Sequence, residues 1–285
     1  MPARPASLED TVAVDVARAL EEDIGAGDLT AALIPAGKRA HARLITRVDA
    51  VLCGTDWFDR TVKSLDASAG IGWNFADGHS VPAGSALCEI VAEARGLLTA
   101  ERTALNFVQL LSAVATRTRE FVKLVEGTRA KIVDTRKTIP GLRLAQKYAV
   151  RVGGGTNHRV GLFDGILLKE NHLVAAGGVR PAVEAALAAA RPGTLLQVEV
   201  ETLAQLQAAI EAGARLILLD NFTPEGMREA VALTAERAEL EASGGVDERN
   251  VRSIAETGVH RISIGSLTKD VKAIDLSLRF STDTP

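Results

Sequence analysis

The stretch 134–143 of this 285-residue chain carries charges that could bind an anion, because the acid Asp134 is closely followed by the cations Arg136 and Lys137. An apolar run over 130–133 precedes the stretch and predicts a strand, and the pattern over 142–150 predicts a helix. In barrels of alternating strands and helices, the strand ends carry the chemistry. We therefore expect this stretch to form part of a site for an anionic ligand.

Further apolar runs in the second half of the chain also predict strands that end in polar residues. The six apolar cores are 131–133, 165–168, 195–200, 216–219, 238–241 and 261–264. Segments rich in Ala, Leu and Glu, such as 182–190, 203–212 and 224–235, predict helices between them. This alternation predicts a parallel α/β sheet, either an incomplete barrel of six or seven strands or an open doubly wound sheet. Because all the strand ends meet only in a barrel, the repeated polar ends favour the incomplete barrel.

The polar residues at these strand ends divide into cations and acids. The cations would bind anionic groups, and carboxylates could hold Mg²⁺, which takes one or two carboxylates together with substrate phosphates. From the residues alone, either Glu199 or Glu201 could be the acid of the third strand. The candidate cations are Arg136, Lys137, Arg159 and Lys169, with His158 beside them, and the candidate acids are Glu199, Glu201 and Asp220.

Turns of glycine and hydroxyl residues follow the last two predicted strands. They comprise Ser243, Gly244 and Gly245, and then Gly265 and Ser266. Such turns, with their backbone N–H groups and a helix start, are typical of phosphate sites in barrels. With the cations and acids, they predict a substrate bearing phosphate or pyrophosphate, a divalent metal and at least one further anionic group.

Arg102 is a further candidate, because the pattern predicts a long helix from about 99 to 125 with this residue in its first turn. A cation at a helix N-terminus opposes the dipole at a cost of about 0.3–1 kcal/mol, which a bound anion would reverse. Glu101 could offset the same cost, so both interpretations stay open.

Composition excludes several classes of function. Hydrophobic residues make up 47% of the chain, which is typical of a globular protein. A net charge of −3, from 33 basic and 36 acidic residues, gives no sign of a surface for nucleic acid or membranes. Cys53 and Cys88 fit no zinc or redox motif, and no signal core or spanning segment is recognisable, so we expect a cytoplasmic protein.

Short motifs along nearly the whole chain resemble the quinolinate phosphoribosyltransferase family, also called nicotinate-nucleotide pyrophosphorylase (carboxylating), of the type II phosphoribosyltransferases. The motifs are LTAERT at 98–103, DTRKT at 134–138, NHR at 157–159, LKENH at 168–172, VEV at 198–200, LDNF at 219–222 and SGG at 243–245. The resemblance implies an N-terminal α/β sandwich domain over 1–113 and an incomplete α/β barrel over 114–269. Residues 270–285 would rejoin the first domain.

The resemblance also implies an activity and its site. Such an enzyme joins quinolinate to phosphoribosyl pyrophosphate, with Mg²⁺, and releases pyrophosphate, CO₂ and nicotinate mononucleotide for NAD biosynthesis. It would be at least a homodimer, with Arg102 acting in the neighbouring subunit's site. By this resemblance, Arg102, Arg136, His158 and Arg159 would hold the quinolinate carboxylates, Lys137 and Lys169 would contact phosphates, Glu199 and Asp220 would serve Mg²⁺ or ribose, and Ser243, Gly244, Gly245, Gly265, Ser266 and Leu267 would hold the 5′-phosphate.

Within this set, Lys137, Lys169, Glu199 and Asp220 are the predicted catalytic residues. Two other classes of protein stay open. One is a related phosphoribosyltransferase that acts on nicotinate, or a paralogue from molybdenum-uptake operons with the same fold. The other is a barrel that binds a phosphate ligand without catalysis. Three candidate arginines favour a diacid substrate over a monoacid, and the paired carboxylates favour an enzyme over a binding protein.

Overall fold

A computed structural model describes residues 7–281, which fall into two compact units. Of the described residues, the first unit takes 7–117, Ile139–Gly153 and 270–281, and the second takes Thr118–Thr138 and Gly154–Lys269. Residues 282–285 of the predicted C-terminal segment lie outside the described residues. The domain boundaries at 113/114 and 269/270 stay a prediction.

The helices and strands alternate along most of the described chain. The helices are α1 (Leu8–Ile24), α2 (Thr55–Leu65), α3 (Ala94–Leu124), α4 (Arg143–Val152), α5 (Glu170–Ala175), α6 (Val179–Ala189), α7 (Leu203–Glu211), α8 (Pro224–Thr234), α9 (Val251–Ala255) and α10 (Ser266–Lys269). The strands are β1 (Arg39–Thr46), β2 (Ala50–Val51), β3 (Gly70–Trp73), β4 (Ser80–Val81), β5 (Ala86–Glu93), β6 (Lys131–Val133), β7 (Gly165–Leu168), β8 (Leu195–Val200), β9 (Leu216–Asp220), β10 (Glu239–Ser243), β11 (Arg261–Ser263) and β12 (Leu276–Ser281).

The first unit contains a four-stranded antiparallel sheet in the order β12-β1-β5-β3. The C-terminal strand β12 lies beside β1, with Leu44 opposite Leu278. Apolar side chains such as Leu44, Phe58 and Ile90 are buried against α3 residues including Leu105. Burial of these side chains away from water supplies the main driving force for forming this unit.

The segment Ile139–Gly153, which the sequence analysis included in the range 114–269, packs within the first unit. It contains α4, whose Ala145 and Ala149 are fully buried in a cluster with Val16 and Trp57. Because these small side chains allow close approach of neighbouring groups, α4 can lie against the bulky indole.

Helix α3 begins five residues earlier than predicted, at Ala94 rather than near 99. The side chain of Glu93 accepts a hydrogen bond of 2.8 Å from the backbone N–H of Gly96 and thereby caps an earlier start. Arg102 therefore lies beyond the first two turns of the helix. The prediction that it opposes the helix dipole in the first turn is wrong, because that effect is confined to the first turn.

The second unit confirms the incomplete α/β barrel. Its six strands are all parallel, in the order β6-β11-β10-β9-β8-β7. Along β8, Val198 and Val200 are buried in the apolar core, whereas Gln197 and Glu199 alternate with them and point to the other side of the sheet. Other strands add both polar and apolar residues to the cavity on that side, namely Glu241 and Ser243 of β10, Ser263 of β11, Leu167 of β7 and Leu218 of β9. This side of the sheet therefore carries the candidate site.

Candidate active site

A cavity of about 170 Å³ lies within the second unit, on the polar side of the sheet. It is lined by side chains from all six parallel strands or the segments next to them. These are Thr135, Arg136, Lys137, His158, Arg159, Leu167, Lys169, Glu199, Leu218, Glu241, Ser243 and Ser263. The expected convergence of strand ends is therefore observed for Arg136, Lys137, His158, Arg159, Lys169, Glu199 and Ser243.

Other predicted site residues lie outside the walls of this cavity. Arg102 belongs to the first unit, where it is exposed on α3. The side chain of Leu267 is buried in the apolar core of the second unit, so only its backbone could face a ligand. The other predicted site residues that do not line the cavity are Asp220, Gly244, Gly245, Gly265 and Ser266.

Lys169 and Glu199 form an ion pair across neighbouring strands. Lys169 follows β7 directly, and Glu199 lies on β8, so the two parallel strands bring them level. The Lys169 Nζ is 2.9 Å from Glu199 Oε2, with the Glu199 side chain only 16% exposed and the Lys169 side chain 51% exposed. The ammonium group thus stays open to solvent and to a ligand while the carboxylate is largely enclosed.

Asp220 ends the next strand, β9, close to this pair. Burial raises the pKa of Asp220, and the charge of Glu199 raises it further. The cations Lys169 and Lys137 act in the opposite direction. Burial and the charge of Glu199 thus disfavour the ionised form of Asp220, and a bound cation would offset both effects. Within residues 7–281, no group of three or more His, Cys, Asp or Glu side chains is arranged to hold a metal by itself.

The arginines form a second centre of charge. Burial lowers the pKa of Arg159, and the neighbouring charge of Arg136 lowers it further, whereas Asp164 acts in the opposite direction. Both guanidinium groups line the cavity. Two like charges held together in a partly buried pocket repel, and an anion between them would remove the repulsion.

Asp134 anchors the segment that carries Arg159. Its fully buried carboxylate accepts a hydrogen bond of 2.8 Å from the backbone N–H of His158 and one of 2.6 Å from the side chain of Asn157. Farther along, Asp164 accepts from the backbone N–H groups of Val160 and Gly161 at 2.8 Å each. These bonds fix the backbone on both sides of Arg159.

The His158 and Arg159 side chains add two more bonds to this segment. The Arg159 Nη1 donates to the carbonyl of Gly165 at 3.0 Å. The His158 ring accepts the backbone N–H of Arg159 at 2.7 Å through Nδ1, and its Nε2 hydrogen-bonds the Gln197 side-chain oxygen. Arg159 is thus held by its own side chain and by its neighbour's ring.

Two glycines of the predicted phosphate segment, Gly244 and Gly265, pack closely against other residues. At Gly244, with φ of 101°, a Cβ would lie 2.1 Å from the Oδ1 atom of Asn221. At Gly265, a Cβ would lie 3.0 Å from the Cδ atom of Lys137. Thr268 in α10 donates to the Lys137 carbonyl at 2.8 Å. The two glycine turns therefore lie directly against residues of the site.

Two residues of the barrel interior were missed by the sequence analysis, Gln197 and Glu241. Both are fully buried. Glu241 Oε2 is 3.0 Å from Arg261 Nε, whereas Glu241 Oε1 and Gln197 Nε2 have no hydrogen-bond partner within the part of the chain that the structure describes. Each lies two positions before a predicted site residue, Ser243 or Glu199, and period-two alternation puts it on the same face. That spacing was the available signal.

No helix between residues 7 and 281 has the length and apolar character needed to cross a membrane.

Comparison with known proteins gives consistent matches over the chain. A family model described as quinolinate phosphoribosyl transferase, C-terminal domain, matches residues 114–279, and one described as the N-terminal domain of the same enzyme matches residues 28–112. The nicotinate-nucleotide pyrophosphorylase [carboxylating] of Mycobacterium leprae is 44% identical over 273 residues, which cover 92% of this chain and 95% of that protein.

Two further relatives agree with this match. The probable nicotinate-nucleotide pyrophosphorylase [carboxylating] of Bacillus subtilis is 40% identical over 257 residues, covering 90% of this chain and 89% of that protein. The solved structure of the nicotinate-nucleotide pyrophosphorylase from Francisella tularensis is 45% identical, with a TM-score of 0.93 and coverage of 97% of this chain and 98% of that chain. The chain belongs to the quinolinate phosphoribosyltransferase family.

Proposed function

We propose that this protein transfers the phosphoribosyl group of phosphoribosyl pyrophosphate to quinolinate, with loss of pyrophosphate and CO₂, and so makes nicotinate mononucleotide for NAD biosynthesis. The observation that carries this proposal is the presence of Arg136 and Arg159 in one cavity with the Lys169–Glu199 pair. The arginines suit an aromatic diacid, and the lysines and carboxylates suit a phosphorylated sugar. The names of the relatives agree with both substrates.

The arginines would bind and orient quinolinate. A guanidinium group can donate two parallel hydrogen bonds to a carboxylate, which fixes the plane of the acid as well as its position. Arg136 and Arg159 would each take one of the adjacent carboxylates, and the two negative charges would relieve the repulsion between the guanidinium groups. Held in this way, the ring nitrogen of quinolinate can be aligned with the ribose carbon that it attacks.

The lysines would stabilise the departing pyrophosphate. As the new C–N bond forms at the ribose carbon, the bond to pyrophosphate breaks and its electrons move to the leaving oxygen. Lys137 and Lys169 line the cavity and can donate to that oxygen where its charge develops. Because Lys169 is already aligned by Glu199, little reorganisation is needed at that moment.

Glu199 and Asp220 would hold Mg²⁺. The proton affinity that burial and Glu199 give to Asp220 is the observation that fits a cation between the two carboxylates. When bound, Mg²⁺ would supply charge neutralisation for the pyrophosphate oxygens. Hydrogen bonds from ribose hydroxyls to the same carboxylates are the alternative role for this pair.

Decarboxylation would follow ring-nitrogen alkylation. The ring carbon next to the nitrogen loses its carboxylate as CO₂. The electron pair of the broken bond stays on that carbon, which then takes up a proton from solvent. The positive charge on the alkylated nitrogen stabilises that pair, and the cavity cations add to this effect.

The proposal extends to the assembly and the location of the protein. Arg102 would enter the site of the neighbouring subunit in a homodimer or higher oligomer, and the protein would work in the cytoplasm. The exposure of Arg102 on α3 is compatible with a role in a partner's site. Mixing an Arg102→Ala variant with an Arg159→Ala variant should restore part of the activity, since mixed dimers would contain one intact site.

A direct assay tests the proposed reaction. The protein is incubated with quinolinate, phosphoribosyl pyrophosphate and Mg²⁺, and nicotinate mononucleotide and CO₂ are measured. Parallel reactions replace quinolinate with nicotinate or remove Mg²⁺ with a chelator. Product from quinolinate and not from nicotinate is expected, with activity lost on chelation. Turnover of nicotinate in preference to quinolinate would reject the diacid assignment.

A further inference from the structure

The imidazole of His158 bridges strand β8 and the backbone that carries Arg159. Its Nδ1 accepts the backbone N–H of Arg159 at 2.7 Å. Its Nε2 hydrogen-bonds the side-chain oxygen of Gln197. The two bonds use both ring nitrogens, so they fix the position and the plane of the ring.

These partners also determine where the ring carries its proton. An Nδ1 atom that accepts a backbone N–H cannot itself be protonated, so the proton of the neutral ring lies on Nε2. The Nε2–H group then needs an acceptor, which orients the Gln197 amide with its oxygen toward His158. The sequence predicts His158 beside the cations of the site, and its two hydrogen bonds identify the tautomer with the proton on Nε2.

The orientation of the Gln197 amide has a cost. Gln197 is fully buried on β8, and with its oxygen facing His158, its Nε2 has no hydrogen-bond partner within residues 7–281. A buried donor without a partner destabilises a folded protein, and such groups are rare enough to require an explanation. A residue that only filled this space could be apolar without that cost. The amide oxygen must therefore do something that an apolar side chain cannot do.

The residue that this hydrogen-bonded ring positions is Arg159. It shares its pocket with Arg136, whose charge repels it and contributes to lowering its pKa. We propose that Gln197 is a positioning residue for Arg159, acting through the neutral His158 ring, which holds the Arg159 backbone in place for binding a carboxylate of the substrate. This inference rests on the proposed function for the identity of that carboxylate.

The substitution Gln197→Met tests the proposal, because methionine has a similar size and no amide. We expect the KM for quinolinate to rise about tenfold, as for the loss of one hydrogen bond that aligns a charged group, and the KM for phosphoribosyl pyrophosphate to stay the same. The unfolding temperature should change little, since the substitution removes the unpaired Gln197 donor but also takes away the acceptor of the His158 Nε2–H group. The matched control is Gln207→Met on α7, whose amide donates to Glu211 at 2.7 Å, and it should change neither KM.

A double-mutant cycle tests the route through His158. If Gln197 acts on Arg159 through the ring, Gln197→Met should have little further effect in a His158→Ala background. Full additivity of the two changes would overturn the proposal. A lower unfolding temperature with both KM values unchanged would also overturn it, because Gln197 would then serve stability alone.

Two measurements separate this inference from the proposed reaction. Nitrogen-15 NMR of the wild-type histidines, assigned with the His158 variant, should show a neutral ring protonated at Nε2, and protonation at Nδ1 would refute the inference without any need for a folded Gln197 variant. Calorimetry should show quinolinate binding more weakly to Gln197→Met than to the wild type. That difference can be seen even if the wild type yields no nicotinate mononucleotide, in which case the proposed reaction fails and the positioning role stands.

Discussion

Arg159 and Arg136 lie in one cavity, where burial and the charge of Arg136 lower the pKa of Arg159. The fold thus holds two positive charges close together in one cavity. That arrangement is unfavourable in the empty pocket and favourable once a diacid binds, so part of the substrate's binding energy comes from relief of repulsion.

Removal of either arginine should therefore reduce catalysis severely. Arg159→Ala or Arg136→Ala should lower kcat/KM for quinolinate. The loss should correspond to about 2–5 kcal/mol of transition-state stabilisation, as for a charge pair that loses one partner. Steady-state kinetics on the purified variants measure this. Arg180→Ala is the control in the same unit, because its half-exposed side chain pairs with Glu211 at 3.0 Å on the outer helices. Turnover of the Arg159 variant at the control's rate would reject the assignment.

Lys169 should matter for turnover and little for stability. Lys169→Met should reduce kcat by about 10²–10³, the usual effect of removing one donor from a developing negative charge. The free energy of unfolding should change by about 1 kcal/mol or less, because the Lys169 ammonium is half exposed and such pairs stabilise weakly. Urea unfolding and kinetics on the same preparation measure the two effects.

The control for this substitution is Lys63→Met. Lys63 is also about half exposed and pairs with Asp59 at 3.7 Å, but it lies on α2 in the other unit. It should lose neither activity nor appreciable stability. An equal loss of stability and activity in the Lys169 variant would mean that the lysine supports the fold and not the chemistry.

The sequence predicts the barrel strands well because each is a short apolar run that ends in polar residues. The predicted cores of β6, β7 and β8 coincide with the observed strands, and β9 and β10 extend to include Asp220 and Ser243. The N-terminal end of α3 was less predictable, because its cap is the Glu93 side chain at the end of the preceding strand.

The interior of the site was harder to predict than its mouth. Gln197 and Glu241 lie within strands β8 and β10. A single polar residue inside an apolar run does not by itself indicate a functional site. Only the convergence of the six strands on one cavity turns that face into a polar interior. Asp134 shows the converse case, because its charge was evident in the sequence while its role, which is to bind the backbone at His158, depends on contacts between distant segments.

Glu241 and Arg261 should contribute to stability as a buried pair. Glu241→Gln removes the charge that faces Arg261 at 3.0 Å in a fully buried position, and the loss of one partner from such a pair costs about 3–5 kcal/mol. Urea unfolding monitored by circular dichroism should show this loss. Glu236→Gln, in an exposed pair with Arg129, should have a much smaller effect. Equal effects of the two substitutions would show that Arg261 does not need the buried charge.

The stability of the first unit should depend on pH through Asp15 on α1. Burial raises the pKa of Asp15, and the hydrogen bond from the Trp57 indole and the charge of Arg18 only partly oppose this. A raised carboxyl pKa contributes stability that is fully present below the unfolded-state pKa and is lost as pH rises through the folded-state pKa. Above the folded-state pKa of Asp15, the folded protein therefore carries an unfavourable buried charge.

Asp15→Asn should remove that charge while keeping an oxygen acceptor for Trp57. The variant should be more stable than the wild type above the folded-state pKa of Asp15. The difference should shrink as pH falls below that pKa and vanish below the unfolded-state pKa. Urea unfolding at a series of pH values measures this. Asp66→Asn supplies a control of opposite sign, because hydrogen bonds from Ser68 and from the Glu93 backbone lower the pKa of Asp66. That variant should lose stability at neutral pH, and its deficit should shrink as pH falls through the folded-state pKa of Asp66. If Asp15→Asn were less stable than the wild type above the folded-state pKa of Asp15, the ionised carboxylate would be a favourable partner of Trp57 and Arg18, and the sign of the prediction would be wrong.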